Sequence, residues 1–240
     1  MKQLTNDVPV NTSNITISSF VIVGGWLLHK VKWQQGLTYG EIVQQYVSFI
    51  RRHYVGNIVI VFDGYLNGPS TKDHEHDIRS VKCAPDVTLA DNLLAFSNQP
   101  AFLSNERNKK AFVDNLMGEF SRHGYGATQA SQDADTLIVS TALQIAKSAV
   151  PVSVVATDTD ILALLIYHFN DSMADVKMQS KSAQCSGSVT TLFWSICNIC
   201  STLRPQVTPL VLVGHAVTGC DTVSALFALL DVTLKQLVFS

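Results

Sequence analysis

Six aspartates stand where a carboxylate has chemistry to do. They are Asp63 in NIVIVFDGY, Asp133 and Asp135 in SQDADTLIV, Asp158 and Asp160 in SVVATDTDILALL, and Asp221 in TGCDTVS. Each ends or opens an apolar run, and a carboxylate beside a core is costly unless something compensates it. In open parallel sheets, ligands sit outside the carboxyl ends of the strands. Acids distant in sequence, placed at strand ends and helix starts, can therefore face one pocket. Gathered there they would repel: a pair at about 4 Å costs on the order of 1 kcal/mol in water-like surroundings and about 4 at an effective dielectric of 20. Divalent cations relieve that repulsion, and all-oxygen ligand sets suit Mg2+ or Mn2+. Two such ions roughly 4 Å apart activate a water and stabilise the leaving oxygen in phosphodiester hydrolysis. Any one of these aspartates can equally cap a helix or turn; their recurrence at strand ends and helix starts is what points to metal.

The elements that must position these acids are legible in the hydrophobic pattern. Ile15 to Ile22 is β-branched and reads as a strand ending at Gly24-Gly25. From Thr38 to Tyr54 the apolar residues Ile42, Val43, Tyr46, Val47 and Ile50 share one helical face. NIVIVF is a continuous apolar strand that stops at Asp63-Gly64, a turn signal. Residues 66–104 are polar and irregular, with one charged helical segment near KDHEHDIR. SNERNKKAFVDNLMGEFSRHG predicts a helix capped by Ser104 or Asn105 and ended by Gly124.

A short strand follows at Ala127 to Ala130, then a helix from SQDADTLIV onward with Ser131 as N-cap and both Asp133 and Asp135 in its first turn, where the dipole favours negative charge. Val152 to Ala156 is a strand, ILALLIYHF a helix or strand, and Asp171 to Gly187 a loop or hairpin. The apolar run after Pro209 leads to TGCDTVSALFALL, which opens another helix with Asp221 at its start. The alternation of strand and helix predicts an α/β fold, a three-layer sandwich with a mainly parallel central sheet of PIN-like or Rossmann-like type. A flexible stretch over residues 1–14 and one domain over residues 15–240 are expected.

Composition agrees with a packed chain. Of 240 residues, 47% are hydrophobic and 15% charged, and the formal net charge is −2. That balance excludes disorder and gives the whole molecule no strong field toward nucleic acid, so polyanion binding must come from a local patch or from bound cations. The five cysteines have no regular spacing. The lone pair Cys197 and Cys200 has no second pair to complete a zinc site, so two core thiols in a reducing, intracellular compartment are expected. No apolar segment is long enough to span a bilayer, so no membrane partner is expected. His74 and His76 diverge on a helix and do not read as a zinc pair. Arg107, Lys109 and Lys110 can touch a nucleic-acid backbone, or simply form a solvated helix start.

In order and spacing, VFDG, the acidic pair of SQDADTLIV, the pair of ATDTDILAL and the aspartate of TGCDTVS resemble the flap endonuclease and XPG-type 5′ nucleases, which are PIN-like-domain enzymes with two metal ions. The resemblance runs from about residue 20 to 230. It is closer still to eukaryotic PIN-like proteins sharing GG-x-LLH, PSTKD and TGCDT elements. It implies that Asp63, Asp133, Asp135, Asp158, Asp160 and Asp221 ligate two Mg2+ or Mn2+ ions. It also implies that residues 64–104 form an arch-like insertion, that the substrate is nucleic acid (DNA rather than RNA), and that the protein works in the nucleus.

In that family a lysine and an arginine seven residues apart contact the scissile phosphate; Lys72 and Arg79 have that spacing. Independently of the family, positions i and i+7 share a helix face, and two cations on one face can bind a transferring phosphate. The bland reading is a solvated charged helix.

Two departures stand out. Where the family's first strand ends in a further metal-binding aspartate, this chain has Val23 in VIVGGWLLH. After Asp221, where the family carries a Gly-rich helix-hairpin-helix, it has ALFALLDVTLKQLVFS. The alternatives to a nuclease are a relative that binds nucleic acid or protein without cutting, and a metal-dependent phosphatase or other phosphotransfer enzyme.

Overall fold

A computed structural model describes residues 18–64, 84–131, 133–156, 158–179, 183–185, 188–190, 193–203 and 207–218. The described strands form a six-stranded sheet in the order β3-β2-β1-β4-β5-β8. These are β1 (Ser19–Val23), β2 (Asn57–Phe62), β3 (Gly126–Gln129), β4 (Val152–Val155), β5 (Val176–Gln179) and β8 (Phe193–Ser195). Two short strands, β6 (Ala183–Cys185) and β7 (Ser188–Thr190), pair antiparallel with each other. β2 runs parallel to β3 and β4 parallel to β5, while β8 closes on β5 antiparallel. Helices connect the parallel strands, as a mainly parallel α/β sheet requires. The chain divides into two compact units at Val21/Ile22 and at Leu137/Ile138.

The unit Ile22–Leu137 holds α1 (Gly24–Lys30), α2 (Tyr39–His53), α3 (Gln99–Ser104) and α4 (Glu106–Arg122) around β2 and β3. α2 begins with a capping box: Thr38 Oγ1 accepts from the Glu41 amide at 3.3 Å, and the Glu41 carboxylate accepts from the Thr38 amide at 2.8 Å. Its buried stripe is Tyr39, Ile42, Val43, Tyr46, Val47 and Ile50. Asn105 caps α4, and Gly124 follows that helix at φ +77°, a conformation glycine adopts without a Cβ penalty. The core is aromatic. Trp33 lies 5.0 Å from Phe102 and 5.1 Å from Phe112, and Phe112 meets Tyr46 edge-on at 5.6 Å. Its polar node is Gln99, whose Nε2 donates to the Leu28 and Val31 carbonyls at 2.8 and 2.9 Å, which ties α3 to the end of α1.

The other unit is aliphatic. All four residues of β4 are buried, and with them Ile161, Leu165 and Ile166 of α6 (Thr159–His168), Val176 and Met178 of β5, and Ile196 of α7 (Ile196–Thr202). Ile138, Val139, Ala142, Leu143 and Ala146 of α5 (Asp135–Lys147) are buried as well. A 3-10 turn, Thr208–Leu210, leads into α8 (Val211–Thr218).

Two sequence readings are corrected. The helix within SQDADTLIV begins at Asp135, so Asp133 lies ahead of it and Ser131 is not its cap. The cause is local: the Asp133 carboxylate takes the Asp135 amide, and such side-chain turns compete with helix. Within Asp171 to Gly187, Val176–Gln179 is a sheet strand rather than loop, buried too briefly to show a period; the hairpin follows it. The apolar run after Pro209, to which the sequence pattern assigns no element, is helical over Val211–Thr218. TGCDTVS begins at the end of that helix and, from Gly219 onward, lies outside the described residues.

Candidate functional site

In each unit the acids follow the carboxyl ends of parallel strands. Asp63 is the residue after β2. The exit of β2 is tied to that of β3: the Ala130 amide donates to the Phe62 carbonyl at 2.9 Å, and Gln129 Nε2 donates to the Asp63 carbonyl at 2.9 Å. Gly64 makes this approach possible, since a Cβ there would lie 2.4 Å from the Ala130 carbonyl oxygen. Asp63 therefore sits beside the segment that leads to Asp133 and Asp135.

The start of α1 closes on the same carboxylate. A Cβ at Gly25 would stand 3.5 Å from Asp63 Oδ2, whereas one at Gly24 would enter the Phe62 ring at 2.2 Å. Val23, the residue before these glycines, has extended backbone and no side-chain cap to offer α1.

Asp133 Oδ1 accepts from the Asp135 amide at 3.0 Å. In the other unit the same turn recurs. Asp158 follows β4 and caps α6, its Oδ1 accepting from the Asp160 amide at 3.0 Å. Asp160 lies in the first turn of α6, where the helix dipole favours a negative charge. Its own Oδ1 meets His215 Nε2 of α8 at 2.5 Å, both side chains being about a quarter exposed (25% and 21%). The sequence reading missed His215. Its one signal was a polar side chain interrupting the apolar run VLVGHAV.

The donor chemistry fits a hard divalent cation. Asp63, Asp133, Asp135, Asp158 and Asp160 offer carboxylate oxygens only, the donor type that hard ions such as Mg2+ and Mn2+ take. Among the described residues, no three His, Cys, Asp or Glu side chains gather as a metal-binding group. Asp221 lies outside the described residues, and so do Lys72, Arg79, His74 and His76.

The basic residues proposed for nucleic acid occupy the first turns of α4. Arg107 is bound to Asp86 at 2.7 Å, and Lys110 is exposed. Lys109 is half-buried, and with Lys32 it helps hold the His29 pKa below the usual histidine range, burial being the larger cause. Only His123 to Tyr125 separate α4 from β3, so the helix runs back along that strand. At ~1.5 Å per residue its 17 residues span about 25 Å, which carries the start of α4 toward the carboxyl ends of β2 and β3. Cys197 and Cys200 are free and half-buried, and burial pushes both thiols up, away from the thiolate form that metals and redox chemistry need.

No family model and no curated protein matches the sequence. Solved structures do. Human GEN1 in complex with Holliday junction DNA aligns over 93% of this chain with a TM-score of 0.52 at 12% identity. This chain has the fold of the XPG and flap-endonuclease type of PIN-like nucleases. The alignment covers 51% of the GEN1 chain, so the sequence spans about half the length of that relative. The T5 D15 protein, co-crystallized with metal ions, aligns over 88% of this chain and 70% of its own, with a TM-score of 0.46 and 12% identity. A further GEN1 structure, with product DNA and Mg2+, aligns over 86% of this chain and 39% of its own, with a TM-score of 0.40 and 11% identity. Among the described residues of this PIN-like fold, no helix is long and apolar enough to cross a membrane.

Proposed function

We propose that the protein is a divalent-metal-dependent nuclease that hydrolyses phosphodiester bonds in DNA, structure-specific in the manner of a flap endonuclease and working in the nucleus. The observation that carries this reading is the repeated placement of acids just past the carboxyl ends of parallel strands: Asp63 after β2, Asp133 and Asp135 after β3, Asp158 and Asp160 after β4. Such a placement is where ligands bind in open α/β sheets. In this reading Asp63, Asp133, Asp135, Asp158, Asp160 and Asp221 hold two Mg2+ or Mn2+ ions. The ions supply an activated water and charge stabilisation at the leaving oxygen.

The remaining roles belong to cations of the chain. Lys72 and Arg79 orient the scissile phosphate, and Arg107, Lys109 and Lys110 follow the nucleic-acid backbone. Asp86 competes for Arg107, so that arginine must exchange one anion for another when DNA binds. A DNA substrate is chosen because human GEN1, which shares this fold, was solved on Holliday junction DNA.

The test is incubation of the purified protein with branched and single-stranded DNA in Mg2+ or Mn2+. Cleavage that EDTA abolishes, and that is lost in Asp158→Ala with Asp160→Ala, supports the reading. Cleavage that survives both treatments removes the metal assignment.

One observation favours a second reading, a PIN-like protein that binds nucleic acid without cutting it: valine, not an acid, stands at position 23, two residues before Gly25, which approaches Asp63. In a site merely weakened by that valine, Val23→Asp should raise cleavage about tenfold, equivalent to about 1.4 kcal/mol. Binding that EDTA leaves unchanged, with no cleavage by either protein, would favour the second reading.

A further inference from the structure

We infer that His215 is a positioning residue for Asp160, fixing which carboxylate oxygen is turned toward a divalent cation. The inference rests on the metal-site reading above and deepens it, because the imidazole itself belongs to no proposed ligand set. The residues are 55 apart in sequence, and α8 carries the imidazole to Asp160, where Nε2 meets Oδ1 at 2.5 Å. Asp160 is also fixed from below, its backbone amide donating to Asp158 Oδ1 at 3.0 Å. Oδ1 thus carries the imidazole contact, and Oδ2 is the oxygen that this contact leaves for a cation.

Ligating carboxylates are commonly held by such outer partners, and removing the partner typically costs 10–100-fold in metal affinity or activity. Leu210 just before α8 and Val213 within it are 56% and 60% exposed, while His215 on the same short segment is mostly covered.

A different role for the same atoms would be direct ligation. An imidazole nitrogen in an oxygen set shifts preference toward transition metals over Mg2+. The two roles differ in what they do to metal binding without any substrate present.

The experiment measures Mn2+ and Mg2+ binding to the full chain by calorimetry, with Mn2+ also followed by EPR, for wild type, His215→Ala and His215→Gln. Positioning requires that His215→Ala weaken both ions alike, by about tenfold or more. His215→Gln, whose amide can donate from a similar place, should recover most of the loss. Three results would overturn the inference: affinities unchanged in His215→Ala, a loss confined to Mn2+ and not recovered by glutamine, or nitrogen coupling to bound Mn2+ in wild-type pulsed EPR. If His215→Ala does not fold, His215→Asn replaces it, since its shorter amide cannot span the gap and should behave as the alanine. The nuclease reading fails separately, as a protein that binds Mn2+ through Asp160 yet leaves DNA intact.

Discussion

Asp133 with Asp135 and Asp158 with Asp160 are the same local device in two different units. In both, the first carboxylate accepts the amide of the second at 3.0 Å, and a helix starts at that turn. What surrounds the turns differs. Beside the first, the chain brings a bare backbone: Gly25 and Gly64 let α1 and the exit of β3 close on Asp63. Beside the second, it brings an imidazole, His215 on Asp160. The turn itself is written in a three-residue pattern. Its surroundings are written in residues far along the chain.

The largest expected effect breaks or confirms that pairing. Asp133→Ala with Asp135→Ala, and separately Asp158→Ala with Asp160→Ala, should each lower single-turnover DNA cleavage at least about 10³-fold, a loss of about 4 kcal/mol of transition-state stabilisation. Loss from only one pair would mean that the other is structural.

Next is the glycine pair beside Asp63. Gly24→Ala drives a methyl into the Phe62 ring and should cost about 1–3 kcal/mol in urea unfolding. Gly25→Ala meets ordinary contact at 3.5 Å and should change stability by less than about 1 kcal/mol, helix propensity favouring the alanine.

A smaller effect separates capping from metal binding at the second turn. Asp158→Ala removes the α6 cap and should cost about 1 kcal/mol, whereas Asp158→Asn keeps the cap and should cost a few tenths. Both should lower cleavage, because the amide oxygen is a far weaker ligand for a hard ion. Equal activity in Asp158→Asn would make the residue a cap and nothing more.

The smallest effect concerns pH. The Gln44 amide, and after it Arg122, hold the Glu119 carboxyl below its usual value of 4.5. A depressed acid contributes its stability above that value and loses it as pH falls through the folded-state pKa. Gln44→Leu should therefore lower stability by a few tenths of a kcal/mol at neutral pH, the Gln44–Glu119 hydrogen bond lying at the surface. That difference should shrink toward zero in acid, as read by chemical denaturation. A difference independent of pH would assign Gln44 to packing alone.

Much of the fold was legible because its signals are local. The helical stripe of Tyr39–His53, the Asn105 cap and the two-sided apolar strand NIVIVF each fall within a few residues. The strand Val176–Gln179 was missed because four residues, buried whatever the period, look like any short apolar run. Asp133 was assigned to the helix because composition does not tell a first turn from an Asx turn that delays it. The placement of Asp63 and Asp158 just past strand ends was legible from the hydrophobic pattern. The closeness of Gly25 to Asp63 and of His215 to Asp160 was not, since each contact joins segments that only the fold brings together.

The central claim is that aspartates just past the strand ends hold divalent cations. Anomalous diffraction from a crystal soaked in Mn2+ tests it most directly. The account expects Mn2+ peaks with aspartates of these turns among their ligands, Asp158 or Asp160 included. Mn2+ bound to none of these aspartates, or no Mn2+ bound at all, would contradict it.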